Sequence, residues 1–339
     1  MMRKRVLIPL ALVVGCAVLL GIGLGRPLGM RTSVVIPRQA PFARPVLDSI
    51  RAAKGPTTAW LTSVLLSAGL RITSRSLLPG WYHIDSSAST WSIARMLVTG
   101  RREPLLKVTI PEGYTIDRIA RRLSSRAEID SASFVAWCLA DSVRRRFGVQ
   151  APSMEGFLMP DTYFLIRHDD AGYAGEMMAA QAQNFWKRMS SSAMSGGWNE
   201  RLRLVTLASI VQLEAAVEEE MPTIAGVYAN RLRIGMLLQA DPTVQYLTGR
   251  DRITGVELRD ASNRYNTYIH RGLPPGPIGN PGRRALEAAR DPQTHEWIFF
   301  VARGDSTRRH RFARTLAEHN ANVRLYREAR RSSAAVSPN

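Results

Sequence analysis

Residues 202–233 read LRLVTLASIVQLEAAVEEEMPTIAGVYANRLR, and the rest of the chain is best read outward from them. Leu204, Leu207, Ala208, Val211 and Ala215 recur at spacings of three and four, the period of a helix with one apolar stripe. The pattern predicts a helix over Leu202–Met221. Pro222 stops it and suits the first turn of a second helix, which runs to about Arg233 with Gly235 just past its cap. Glu214 does not fit the stripe. It falls three positions after Val211 and seven after Leu207, so it points with the apolar residues. A carboxylate in that setting is either paired or held neutral with a raised pKa. A glutamic acid protonated near neutral pH is what general acid catalysis requires. The plainer reading is a carboxylate at the stripe's edge that reaches water or pairs with an arginine such as Arg231. Glu218, one turn on, shares the Glu214 face, and its charge would raise the Glu214 pKa further. Glu219 and Glu220 read as a solvated helix end.

Downstream, LQADPTVQY (238–246) and YNTY (265–268) read as loops crowded with amide, carboxyl, hydroxyl and phenol groups. Such groups suit sugars, because planar hydrogen-bonding side chains meet hydroxyls and aromatic faces meet pyranose rings. The same residue types also form turns that satisfy their own backbone. GLPPGPIGNPG (272–282) holds four glycines and four prolines, so it is neither helix nor central strand. Pro281 suits the first turn of a helix through Arg290. WIFFV (297–301) reads as a buried strand and Arg314–Arg330 as a closing helix.

Upstream, Thr58–Leu70 has helical spacing and 78–84 reads as a turn into a short strand. Ile93-Ala94-Arg95-Met96-Leu97 recurs 26 residues later as Ile119-Ala120-Arg121-Arg122-Leu123. Thr90 and Thr115 precede the two copies as candidate N-caps. Strand Leu105–Ile110 leads into the second. Such strand–turn–helix units look like the glycan-binding LysM module, although two short amphipathic helices that share a pattern would read the same way. Met154–Phe164 reads as a structured loop running into a strand, and Ala171–Lys187 as an amphipathic helix. Helices and strands mix without βαβ alternation, so the fold class is α+β.

Residues 6–24 (VLIPLALVVGCAVLLGIGL) carry no charge over a length that spans a bilayer as a helix. Arg3, Lys4 and Arg5 precede them and keep the N-terminus in the cytoplasm. No small-x-small cleavage site follows, so an uncleaved anchor is favoured over a signal peptide. Prolines at 37, 41, 45 and 56 mark a tether. The expected order is a cytoplasmic tail (1–5), an anchor (6–24), a linker (25–56), a LysM-like subdomain (57–150), a catalytic domain (151–332) and a disordered tail (333–339). The formal net charge of +18 draws polyanions. Export of the bulk of the chain turns that charge from nucleic acid toward anionic lipid or wall polymer. Two distant cysteines, Cys16 and Cys138, build no disulfide framework. The chain has no GxSxG, GxxxxGK[ST], HExxH or CxxC, and neither a metal nor a cofactor is expected.

Seven ordered blocks resemble the YceG-like family of endolytic murein transglycosylases, the MltG type: TIPEGYTIDRIARRL (109–123), MEGFLMPDTYFL (154–165), LASIVQLEA (207–215), VYANRLRIGMLLQADPTVQY (227–246), YNTY, GLPPGPIGNPG and FARTLAEHN (312–320). The resemblance implies a single-pass inner-membrane protein with an extracytoplasmic catalytic domain. It implies cleavage of nascent glycan strands between N-acetylmuramic acid and N-acetylglucosamine, ending strand elongation with a 1,6-anhydro terminus. The family's catalytic glutamate falls on Glu214. Where the family often carries another glutamate, this chain has Gln212, turned about 200° from Glu214 on a helix and so expected to leave catalysis intact. Candidate sugar contacts are Gln239, Asp241, Thr243, Asn266 and Tyr268, joined by Glu155 and Glu218. The implied partners are peptidoglycan strands, the membrane and peptidoglycan synthases or elongation and division complexes. The alternatives are a hydrolysing muramidase on the same site, a non-catalytic wall-binding scaffold, and a nucleic-acid binder favoured by charge alone.

Overall fold

The structure, a computed structural model, describes residues 24–30, 32–36, 43–74, 77, 80–100, 105–190, 197–249 and 253–336. The chain divides into two compact units, Met1–Leu105 and Leu106–Asn339. Helices and short antiparallel strand pairs mix in both, which gives the expected α+β class.

The first unit is built from β1 (Thr32–Ile36), α1 (Arg44–Lys54), α2 (Pro56–Thr73), β2 (Gly80–Ile84) and α3 (Thr90–Thr99). β1 pairs antiparallel with β2, from Thr32 opposite Ile84 to Ile36 opposite Gly80. Alternate residues Val34, Ile36, Tyr82 and Ile84 turn inward onto Val46 and Ile50 of α1, Leu66 of α2 and Leu97 of α3. The expected tether at 25–56 is therefore structured in part. Val34, Val35 and Ile36 form part of a strand, and Pro45 lies in the first turn of α1, where a missing N–H costs nothing. The first copy of the internal repeat is capped one residue earlier than expected. Ser89 closes a capping box with Ser92, and Thr90 is the first helical residue. The apolar run at 6–24 lies outside the described residues except for Leu24. Among the described residues no helix is long and apolar enough to cross a membrane.

The second unit begins with β3 (Leu106–Thr109), so the division falls at 105/106 and not at 150/151. The reason is the core. Val108, Ile119, Leu123, Phe134 and Cys138 belong to one apolar cluster with Met178, Val205, Leu207, Ile210, Val211 and Ile224. β3 pairs antiparallel with β4 (Thr162–Leu165), and α4 (Ile116–Ala127), α5 (Ser131–Leu139) and α6 (Asp141–Arg146) lie between them in sequence. Thr115 caps α4 as expected, accepting the Arg118 N–H at 3.3 Å. α7 (Ala171–Ser190) leads to α8 (Gly197–Glu214), α9 (Met221–Arg233), α10 (Asp241–Thr248) and α11 (Arg283–Arg290). The β5–β6 hairpin (Phe299–Ala302, His310–Ala313) and α12 (Leu316–Val336) close the unit. α12 thus runs into the stretch expected as a disordered tail.

α8 is the central helix. Residues 205–211 are buried without a break, so it carries no single stripe but is packed on all sides. It also ends seven residues earlier than its periodicity predicts. After Glu214 the chain turns out of the helix, Val217 is extended, and 218–220 form one 3-10 turn before Pro222 enters the first turn of α9. Tertiary bonds override the pattern here. Glu220, expected as a solvated helix end, is buried. Its carboxylate accepts the His310 backbone N–H at 3.1 Å and meets His310 Nδ1 at 2.7 Å. Glu218 consequently does not share the Glu214 face. At the far end of α9 the Gly235 and Met236 N–H groups bond back to Leu232 and Arg231, and Gly235 takes φ 66° just past the cap, as expected. The glycine–proline segment packs against α8, where Ser209 Oγ accepts the Ile278 N–H at 3.1 Å. Pro281 stays outside α11, whose N-cap is Gly282.

Candidate active site

The early end of α8 puts Glu214 where three other segments converge. Its carboxyl takes a hydrogen bond from the Tyr228 phenol of α9 and feels the Arg231 guanidinium one turn further along the same helix. Tyr228 and Arg231 are buried, three residues apart on one helix face. Arg231 is fixed by two carbonyls: Nε donates to Ile298 O at 2.7 Å and Nη1 to Leu238 O at 2.6 Å. The second bond anchors the segment that delivers Gln239 and Asp241. Asp241 opens α10, which replaces the loop expected at 241–246. An acid and Pro242 in its first turn suit a helix start. The Asp241 carboxylate accepts the Tyr268 hydroxyl at 2.5 Å.

These neighbours set the chemistry. Burial pushes the Glu214 carboxyl up to about 7, and repulsion from Asp241 adds to it; the Tyr228 hydrogen bond and the Arg231 charge pull the other way. The Tyr268 phenol is pushed up by burial and by its bond to Asp241, so it stays a protonated donor. Glu214 is half-buried, Asp241 and Gln239 are exposed, and Gln239 sits in the left-handed backbone region at φ 48°. A carboxyl with a raised pKa thus stands near an exposed acid that is held by a half-buried phenol.

The other candidates occupy different places. Thr243 is buried; its Oγ1 donates to Ala240 O at 2.7 Å and lies 2.9 Å from Thr267 Oγ1, which accepts the Ala240 N–H at 3.0 Å. Asn266 is buried too: Nδ2 reaches the carbonyls of Glu257, Leu258 and Asp260 at 3.1 Å each, and Oδ1 accepts the Tyr268 N–H. Thr243 and Thr267 sew the 239–243 and 265–268 segments together, helped by the Gln239 N–H on Thr267 O, while Asn266 ties the second segment to the 257–260 turn; that seam places Asp241 against Tyr268. Glu155 belongs to a separate buried knot with Asn280 and Tyr246. Glu218 is exposed and faces Arg284 at 3.9 Å.

Sequence reasoning passed over Tyr228, although it shares a helix face with Arg231. It also missed Asn280, whose amide donates to Glu155 Oε1 at 2.8 Å and to Tyr114 O at 2.9 Å. Gln212 has work of its own. Its Oε1 accepts the Gly282 N–H at 2.9 Å, and it hydrogen-bonds Glu112. Among the described residues no cluster of side chains suits a metal ion.

Comparison with known proteins gives the family of the chain. The sequence profile of the YceG-like family matches residues 44–325. The chain belongs to the YceG-like family. It is similar to an endolytic murein transglycosylase of Bacillus subtilis (strain 168), 29% identical over 264 residues that cover 71% of each chain. An endolytic murein transglycosylase of Streptococcus pneumoniae (strain D39) is 29% identical over 261 residues, 67% of this chain and 46% of that one. The chain thus spans about half the length of the pneumococcal relative. A crystal structure of a YceG-like protein from Listeria monocytogenes superposes with a TM-score of 0.56 at 28% identity, covering 86% of this chain and 99% of that one.

Proposed function

We propose that the protein is an endolytic murein transglycosylase that cuts peptidoglycan strands between N-acetylmuramic acid and N-acetylglucosamine. Family membership and the activity named for its relatives support the reaction class. One observation carries the assignment of the residue: the Glu214 carboxyl is pushed up to about 7 beside a phenol, a guanidinium and the exposed Asp241, which is held by Tyr268.

Glu214, protonated, gives its proton to the bridging glycosidic oxygen, and the bond from that oxygen to muramic C1 breaks. Positive charge builds on C1 in an oxocarbenium-like state. The Glu214 carboxylate then takes the proton of the muramic 6-hydroxyl, whose oxygen bonds to C1 within the same sugar. The product ends in a 1,6-anhydro ring, and Glu214 regains its proton. Tyr228 holds the carboxyl in place through both steps, and Arg231 balances its transient charge. Gln239, Asp241 and Tyr268 contact the sugars. The apolar run at 6–24 anchors this unit on the outer side of the cytoplasmic membrane, Arg3, Lys4 and Arg5 staying inside. The helices at 93–97 and 119–123, one in each unit, each hold glycan in the manner of a LysM-like unit.

Asp241 supports a second reading. A carboxylate beside the acid could activate water, which would make the enzyme a hydrolase. Mass spectrometry of products from purified wild type and Glu214→Gln decides between them. Anhydro ends from the wild type and none from the variant are expected. Ends one water heavier would mean hydrolysis, and wild-type release by the variant would remove Glu214 from the reaction.

A further inference from the structure

The second unit contains an open space that the reaction does not use. Between α7, α8 and the segment leading to Phe157 lies a cavity of about 350 Å³. Phe147, Met154, Phe157 and Trp186 wall it, and Lys187 and Arg201 stand at its edge. Most of its wall belongs to the main apolar core, where Met154 is fully buried and Phe157 stacks on Trp198 at 5.3 Å. A cleft of this size beside a close-packed core leaves its apolar walls without the dispersion contacts that packed neighbours would give.

Arg201 makes the same place polar. Its guanidinium lies 5.9 Å from the Trp186 ring centre, and its Nε–H is buried with no hydrogen-bond partner among the described residues. A buried donor left without an acceptor is costly and rare. Neither Arg201 nor Lys187 makes an ion pair among the described residues, and no acidic side chain lines the cavity. The space therefore combines apolar walls with two cations that lack an anion. Its volume is at the low end for small-molecule sites, which run from roughly 300 to 1,000 Å³.

We propose that this cavity binds a small anionic amphiphile, with its apolar body between Phe157 and Trp186 and its carboxylate or phosphate head against Lys187 and Arg201. Such a ligand fills the void and supplies the acceptor that the Arg201 Nε–H lacks. The site is separate from the Glu214 cluster. Both lie on α8, thirteen positions apart, or about 20 Å along the helix axis.

The test is calorimetric titration of the full chain, held in lipid nanodiscs, with octanoate, octyl phosphate, octanol and inorganic phosphate. Saturable binding of octanoate or octyl phosphate is expected, and the tighter of the two identifies the head group. Inorganic phosphate should give none. Ala182→Phe fills the cavity and should abolish the binding heat while the protein still cleaves glycan, which shows that it is folded. Ala179→Leu serves if that variant does not fold. Arg201→Gln should weaken the anions about tenfold, one charged hydrogen bond's worth, and leave octanol unchanged. The proposal fails if wild type and the filled variant give equal heats, if neither anion binds, or if octanol binds as tightly as octanoate.

Discussion

Glu155 and Glu214 are both glutamates in one core, both with pKa values raised chiefly by burial, to about 8 and about 7. Their surroundings differ in kind. The Glu155 carboxylate is enclosed by donors: the Ile116 N–H at the start of α4, the Asn280 amide and, at 3.4 Å, the Tyr246 hydroxyl. It ties the 154–165 block to the first turn of α4 and to the glycine–proline segment. Nothing is left for a substrate to meet. Glu214 has one phenol and one guanidinium on its buried side and faces a rim of exposed polar groups. A raised pKa thus reports burial in both cases. It points to catalysis only where hydrogen bonding is incomplete and the site is open.

The largest effect should separate the two on activity. Glu214→Gln is expected to lower glycan cleavage by about 10²–10⁴-fold, the usual worth of a general acid–base group. Glu155→Gln should keep cleavage per folded molecule within a few-fold. Product release normalised to the folded fraction measures both, and a folded but inactive Glu155→Gln would break the contrast. Stability should separate them in the opposite direction. Glu155→Ala leaves the Ile116 N–H and the Asn280 amide without their acceptor and should cost about 3 kcal/mol in denaturant unfolding. Glu214→Gln should cost nothing.

The pH dependence sharpens the same point. Cleavage should fall as pH rises through about 7, where Glu214 loses its proton. The sign for stability follows from a folded pKa raised above the unfolded value. The charged form is disfavoured by folding, so this group lowers stability as pH rises from 4.5 to about 7, and by a constant amount above that. That window of about 2.5 pH units corresponds to at most about 3.4 kcal/mol, less for a half-buried group. Glu214→Gln should therefore raise the melting temperature at pH 8 and leave it unchanged at pH 4. The smallest effect belongs to Tyr228→Phe. Without the phenol's hydrogen bond the Glu214 pKa should climb, and the alkaline limb of the rate profile should move up by less than about one pH unit.

Local signals were legible before the fold was known. The Thr115 cap, the Gly235 turn and the opening of α9 at Pro222 depend on residues close in sequence, and all stand where the sequence puts them. Glu214 was also visible, as an acid among apolar neighbours. Its partners were not. Periodicity carried the helix on to Met221, whereas the chain leaves it at Glu214 because Glu220 must reach His310, ninety residues away. The same distance effect hid the jobs of Thr243 and Asn266, which look like sugar ligands in sequence but spend their hydrogen bonds inside the fold, Thr243 on Thr267 and Asn266 on the 257–260 carbonyls.

The sequence by itself determined an exceptional carboxyl, the family blocks around it, the α+β class and the apolar N-terminal run. Only the tertiary structure decided which polar side chains are spent inside the fold and which face outward. The physical reason is that propensity and capping act over a few residues, while a hydrogen bond between segments is fixed only when packing brings distant chain together.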